Sequence, residues 1–313
     1  MTVRPSPRPR LLDPVLRSVG VLPFVLFTIL FLILPTLYIV LGAFQTADGR
    51  WTFENILALN TPSIRGAYWV SIKVSVISAL LGCLIGFAMA AAVVLGGMPR
   101  WIRSPLLTFS GVASNFAGVP LAFAFIATIG PAGLITLWLR SEFGIVLQAG
   151  LWNLPEGSAL ASLFGPQIRF PRFNVISTGG LIVTYLFFQI PLMILVITPA
   201  LDGLKREWRE AATVLGATGA QYWRMVALPI LFPSLLGTFA LLFANAFGAV
   251  ATAIALTGSS LNIAPILLYA QIRGDVLGNP HLGYALATGM IVITAIANTV
   301  YIVLRARSER WLK

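Results

Sequence analysis

Six apolar runs, separated by polar segments, restrict this chain more than any other feature: roughly 20–44, 68–97, 105–128, 174–200, 226–257 and 283–304. In hydrocarbon a segment must satisfy its own backbone hydrogen bonds, and a helix needs about 20 apolar residues to cross. The chain is therefore read as an all-α integral membrane bundle of about six transmembrane helices. Its residues are 58% hydrophobic and 10% charged. A soluble protein of that composition would expose adhesive patches.

The first run stays as a span rather than a cleaved signal, because it exceeds a signal h-region and lacks a small-x-small site before the next polar segment. The third is interrupted by Gly118, Pro120, Gly130 and Pro131. Its continuation over 134–139 is expected as a short outer helix, not a seventh crossing. Pro23, Pro35 and Pro191 are tolerable where neighbouring helices cover the freed carbonyls.

The net charge of +11 is resolved by position. Fourteen of the 21 Lys and Arg lie at the two termini, at Arg100 and Arg103, and at Lys205, Arg206, Arg209 and Arg224, all on one face of a six-span topology. The richer face is cytoplasmic, so both termini are inside, and nucleic acid is excluded as a partner. The expected divisions are a cytoplasmic tail at 1–19, disordered over 4–10, a first span with its outer loop at 20–67, a transmembrane domain at 68–304, and a second cytoplasmic tail at 305–313. The outer loops are 45–67, 258–282 and 140–173. The last holds Pro155, Pro166 and Pro171 and is long for a simple connection, so it is either functional or packs over the outer mouth. Cys83 and His281 each stand alone in their residue type, which removes disulfides, cysteine metal sites and a histidine pair.

Segment 201–229 stands out. Leu204, Trp208, Ala211 and Leu215 share one helical face, with Asp202 as the expected N-cap and Gly216 as the stop. A second piece over 221–226 leads into Pro229. Such a helix either anchors the loop along the inner membrane face or meets a partner docked there.

The spacing resembles the Glu-Ala-Ala loop of binding-protein-dependent ABC importer permeases. That pattern is Glu-Ala-Ala, three residues, Gly, nine residues, an aliphatic residue, any residue, then Leu-Pro. Here Glu210, Ala211, Ala212, Gly216, Val226, Leu228 and Pro229 fill every fixed position. The resemblance runs from the second span to the C-terminus. It implies a MetI-like type I importer permease of the bacterial inner membrane, whose loop forms a coupling helix in a groove of an ATPase. Ala211 and Ala212 would allow close approach, Glu210 would meet a donor on the partner, and Gly216 would turn the chain. The implied partners are two ATPase subunits, which use ATP and Mg, a second and preferably non-identical permease, and an extracytoplasmic substrate-binding protein. The chain itself is expected to bind no cofactor and to be no enzyme: it has no GxxxxGK[ST], HExxH or GxSxG motif and no pair of intramembrane acids. The rival class is an ion-coupled secondary transporter. Such carriers bury ionisable groups at mid-membrane, whereas Lys73 is the one charge within a run and lies near its outer end.

Polar residues within spans are candidates for a translocation path: Asn115 beside Ser114, Gln189, Asn245 and, more weakly, Asn298. Each could instead make a helix–helix hydrogen bond. Asn245 is the preferred gate residue, being on the helix that the loop feeds. The stretch GPAGLITLWL over 130–139 is similar to permeases of the spermidine/putrescine branch, which includes sulfate, thiamine, ferric iron and phosphonate relatives. Sugar-type importer permeases are the alternative.

Overall fold

The computed structural model describes residues 12–154, 162–163, 165–273 and 280–309. Among them, six helical stretches are long and apolar enough to cross a membrane: Gly20–Gly42, Pro62–Leu95, Val119–Phe143, Thr178–Asp202, Gly219–Phe247 and His281–Leu304. The expected disordered stretch at 4–10, the end of the C-terminal tail and Pro155 lie outside the described residues.

Helix α1 (Leu12–Thr28) begins within the stretch read as a tail, then passes through a π turn at Ile29–Ile33 into α2 (Leu34–Gly42). Pro35 sits in the first turn of α2, where its missing amide leaves a gap in the ladder that the wider turn absorbs. None of the most apolar window of this span is buried within the chain. Only the outer end of α2 is held. Tyr38 meets Tyr284 edge-on at 5.9 Å, and His281 Nδ1 lies 2.9 Å from the Gly42 carbonyl.

The centre of the bundle is α4 (Pro62–Leu95) packed along α8 (Thr178–Asp202), with the short α3 (Glu54–Ala58) before it on the outer side. The buried side of α4 is a stripe of small residues: Ser71, Ser75, Ser78, Ala79, Gly82, Gly86 and Ala90. Lipid tails are as apolar as leucine, so helices associate in a membrane through close packing, which small side chains permit. At Gly86 a β-carbon would stand 2.6 Å from Met193 Cβ and 2.9 Å from the Ile190 carbonyl oxygen.

The third apolar run is two helices. Helix α5 (Arg100–Asn115) packs on α8, and α6 (Val119–Ile129) turns away toward α12. Between them Gly118 has φ +78, a left-handed conformation that glycine adopts without strain. A helix does follow the break, α7 (Leu134–Phe143), but it falls within the third candidate crossing, Val119–Phe143, and not outside it, so that crossing lies further along the chain than the expected 105–128. The long outer loop contains a three-stranded antiparallel sheet in the order β1 (Ile145–Val146), β2 (Leu151–Asn153), β3 (Gln167–Arg169).

After α8 comes the cytoplasmic loop with α9 (Arg206–Val214) and α10 (Gly219–Tyr222). A π turn at Trp223–Ala227 then leads to α11 (Leu228–Phe247). The fifth run, like the third, is broken: Gly248 and Ala249 separate α11 from α12 (Val250–Thr257). An outer helix, α13 (Ala264–Arg273), and the final α14 (Pro280–Glu309) complete the chain. Two apolar clusters result. The outer one joins Leu121, Leu181, Phe188 and Leu256, and the inner one joins Ala90, Met193, Ile197, Leu231 and Leu242.

Candidate functional site

The cytoplasmic loop is shaped by its caps. Helix α9 starts from Lys205, not from Asp202, because Asp202 ends α8 and is engaged elsewhere. Arg103 Nη2 donates to both of its carboxylate oxygens, at 2.8 and 2.6 Å, tying the start of α5 to the end of α8. Both side chains are partly in solvent, at 30% and 46% exposure. A double-mutant cycle of Arg103→Ala and Asp202→Ala, read by thermal unfolding in detergent, should therefore return a coupling of no more than ~1 kcal/mol.

The far end of α9 is a Schellman motif. Gly216, at φ +78, donates to the Thr213 carbonyl, and Ala217 donates to the Ala212 carbonyl, both at 2.9 Å. This early stop changes the expected apolar face. Leu215 lies beyond the last helical residue and is 86% exposed, Ala211 is exposed, and Val214 is 87% exposed. The loop thus presents apolar side chains at its tip that none of the described residues covers. Glu210 Oε1 accepts from Arg206 Nε at 2.8 Å, one turn back on the open face.

The next piece begins at Gly219, two residues before the expected start. The Thr218 hydroxyl accepts from the Gln221 amide, while the Gln221 side chain accepts from the Thr218 amide. The sequence signal for this capping box was Thr-x-x-Gln over 218–221. Val226 lies within the π turn, while Leu228 and Pro229 open α11. The loop therefore feeds straight into a membrane helix.

In the membrane the two broken helices meet. The Gly118 amide donates to Thr252 Oγ1 at 2.7 Å, and the Tyr185 hydroxyl donates to the Ala249 carbonyl at 2.9 Å. A cavity of about 420 Å³ opens here, lined by Ser114, Asn115, Phe188, Asn245, Gly248 and Thr252 among others. Each break ends one hydrogen-bond ladder and starts another, so carbonyls and amides lose their intrahelical partners. The structure brings Asn115 and Asn245 together at this cavity, 130 positions apart in sequence. It places Gln189 elsewhere. That side chain is fully buried between α4 and α11, donating from Nε2 to Ser78 Oγ at 3.3 Å and to the Leu242 carbonyl at 3.4 Å. Asn298 is on an exposed part of α14, outside the cavity. Among the described residues no group of His, Cys, Asp or Glu is placed to hold a metal.

The fold matches the bacterial alginate ABC transporter solved in complex with an alginate pentasaccharide-bound periplasmic protein, with a TM-score of 0.63 at 15% identity over 97% of this chain and 98% of that one. It also matches the inward-facing MetNI methionine ABC transporter, with a TM-score of 0.53 at 15% identity over 78% and 95%. No family model matches the chain. In sequence it is 30% identical over 177 residues to the sulfate transport system permease protein CysT of Salmonella typhimurium, covering 50% of this chain and 64% of that protein. The chain thus spans just under two thirds of that relative. It is also 24% identical to the molybdenum transport system permease protein ModB of Mycobacterium tuberculosis, over 76% of this chain and 78% of the relative. By the length and apolarity of its six long helices the chain is a multi-pass membrane protein, it shares the fold of these ABC transporter structures, and in sequence it is similar to permease proteins of sulfate and molybdenum transport systems. Its relatives are transport components rather than enzymes.

Proposed function

We propose that this chain is the permease subunit of an ATP-driven, binding-protein-dependent importer for a small oxyanion. The observation that carries the reading is the meeting of two interrupted helices at a cavity of uncharged hydrogen-bonding groups. Helix N-termini inside a membrane favour anionic groups, and broken helices at mid-depth are how transporters place them. Asn and Thr side chains and backbone amides can coordinate a desolvated oxyanion. A polyamine would call for carboxylates, and the cavity lining has none. The relatives named for sulfate and molybdenum agree with an oxyanion rather than with the spermidine/putrescine type.

The loop from Glu210 to Pro229 supports a docked ATPase. Its exposed Val214 and Leu215 offer apolar contact, and Glu210 offers a carboxylate at its edge. The bare perimeter of the first span supports a second permease beside this one, and an extracytoplasmic binding protein would deliver the solute.

The test is uptake into proteoliposomes holding the chain with its co-purified partners. ATP with Mg should drive uptake of radiolabelled sulfate or molybdate but not of spermidine. Uptake that follows an ion gradient and ignores nucleotide would instead establish a secondary carrier. Asn245→Asp, which sets a fixed negative charge in the cavity, should cut oxyanion uptake at least roughly ten-fold, since juxtaposed like charges cost several kcal/mol. Undiminished uptake in that variant would remove Asn245 from the pathway.

A further inference from the structure

A second cavity, of about 570 Å³, lies at the cytoplasmic boundary between the inner end of α4 and the loop carrying α9. Its apolar wall includes Leu95 and Leu204. Lys205, Arg206 and Arg209 supply its charge, and Trp223 supplies an indole. The chain itself marks the depth. Leu95 ends one membrane-crossing stretch, and Gly219, also on the lining, begins another. The cavity therefore sits where hydrocarbon gives way to headgroups.

Three cations and no carboxylate line this space. Arg206 is shared with Glu210, and Lys205 Nζ stands 5.8 Å over the Trp208 ring, whereas Arg209 makes no ion pair among the described residues. Basic pockets on the cytoplasmic side of helix bundles suit anionic headgroups, and tryptophan favours that depth. A dissolved oxyanion would use the cations but gain nothing from Leu95 and Leu204. A carboxylate from a protein docked on α9 would likewise leave the apolar wall bare.

The geometry points to an anionic phospholipid of the inner leaflet, its phosphate held by Lys205 and Arg209 and its first acyl carbons lying along Leu95 and Leu204. The lipid would touch both the core helix α4 and the loop that precedes α11. This assignment does not depend on which solute is carried.

The full chain, reconstituted in nanodiscs of mixed phosphatidylglycerol and phosphatidylcholine, can be released into native mass spectrometry and its retained lipid counted. Lys205→Gln and Arg209→Gln should each weaken phosphatidylglycerol retention roughly five-fold and leave phosphatidylcholine unchanged. The pair Lys205→Arg with Arg209→Lys should retain the lipid, which separates lost charge from lost folding. Arg224→Gln removes the same charge from the same face outside the cavity and should have no effect. Equal loss in Arg224→Gln would reduce the site to diffuse surface attraction. Displacement of phosphatidylglycerol by millimolar inorganic phosphate would assign the site to a soluble anion, and displacement by the purified ATPase would assign it to the docked protein. Each of those three results overturns the proposal.

Discussion

Glu210→Arg should abolish ATP-driven uptake while leaving the chain folded and inserted. Glu210 is 61% exposed and, among the described residues, bonded only to Arg206 on its own helix, so the fold loses little when it changes. At an ATPase interface the change is severe. A new cation would stand beside Arg206 and Arg209 where a partner's donor is expected, and like charges meeting in an interface cost several kcal/mol. At 1.4 kcal/mol per factor of ten, uptake should fall roughly a hundred-fold or more. The decisive reading is ATP hydrolysis by the reconstituted complex, which should stop responding to solute-loaded binding protein. An undiminished response would show that Glu210 faces no partner.

Gly86→Leu should act on the fold instead. The new side chain would meet Met193 and the Ile190 carbonyl of α8 at under 3 Å from its first carbon, and a helix backbone cannot step aside as a side chain can. Overpacking of a well-filled interface costs about 1–3 kcal/mol, and four added carbons against backbone belong at the upper end. Thermal unfolding in detergent should shift down by several degrees. Gly111→Leu, where nothing lies within 4 Å, should leave it unmoved.

These two residues mark what the sequence reveals and what it conceals. The crossings are legible because hydrocarbon thickness is a length constraint, and length survives in composition. The loop is legible through spacing: Glu210 to Pro229 matches a pattern that extends over two short helices and a turn. The role of Gly86 is hidden because the mean apolarity of α4 is the same on every side, and only the partner helix shows which face must be small. The break at Gly118 is announced by Gly118 and Pro120, whereas the one at Gly248 divides the fifth apolar run without lowering its hydropathy enough to show a gap. Asp202 reads as a cap because caps are local, whereas its partner Arg103 is 99 positions away. The outer sheet is invisible for a simpler reason. Strands of two or three residues are too short to show alternation.

The first span follows a different rule from the rest. No residue of its most apolar window is buried within the chain, so its place here is held more by partitioning than by fit. For α4 the shape of each side chain decides whether neighbours can close. Along its exposed part, from Val21 to Leu37, the rest of the chain is indifferent to which apolar side chain stands at a position, while a charge is refused, because the bilayer discriminates polarity and not contour. This stretch can therefore drift freely in sequence while staying constant in hydropathy. Two chains of this architecture can share a fold and a mechanism yet have unrelated first helices.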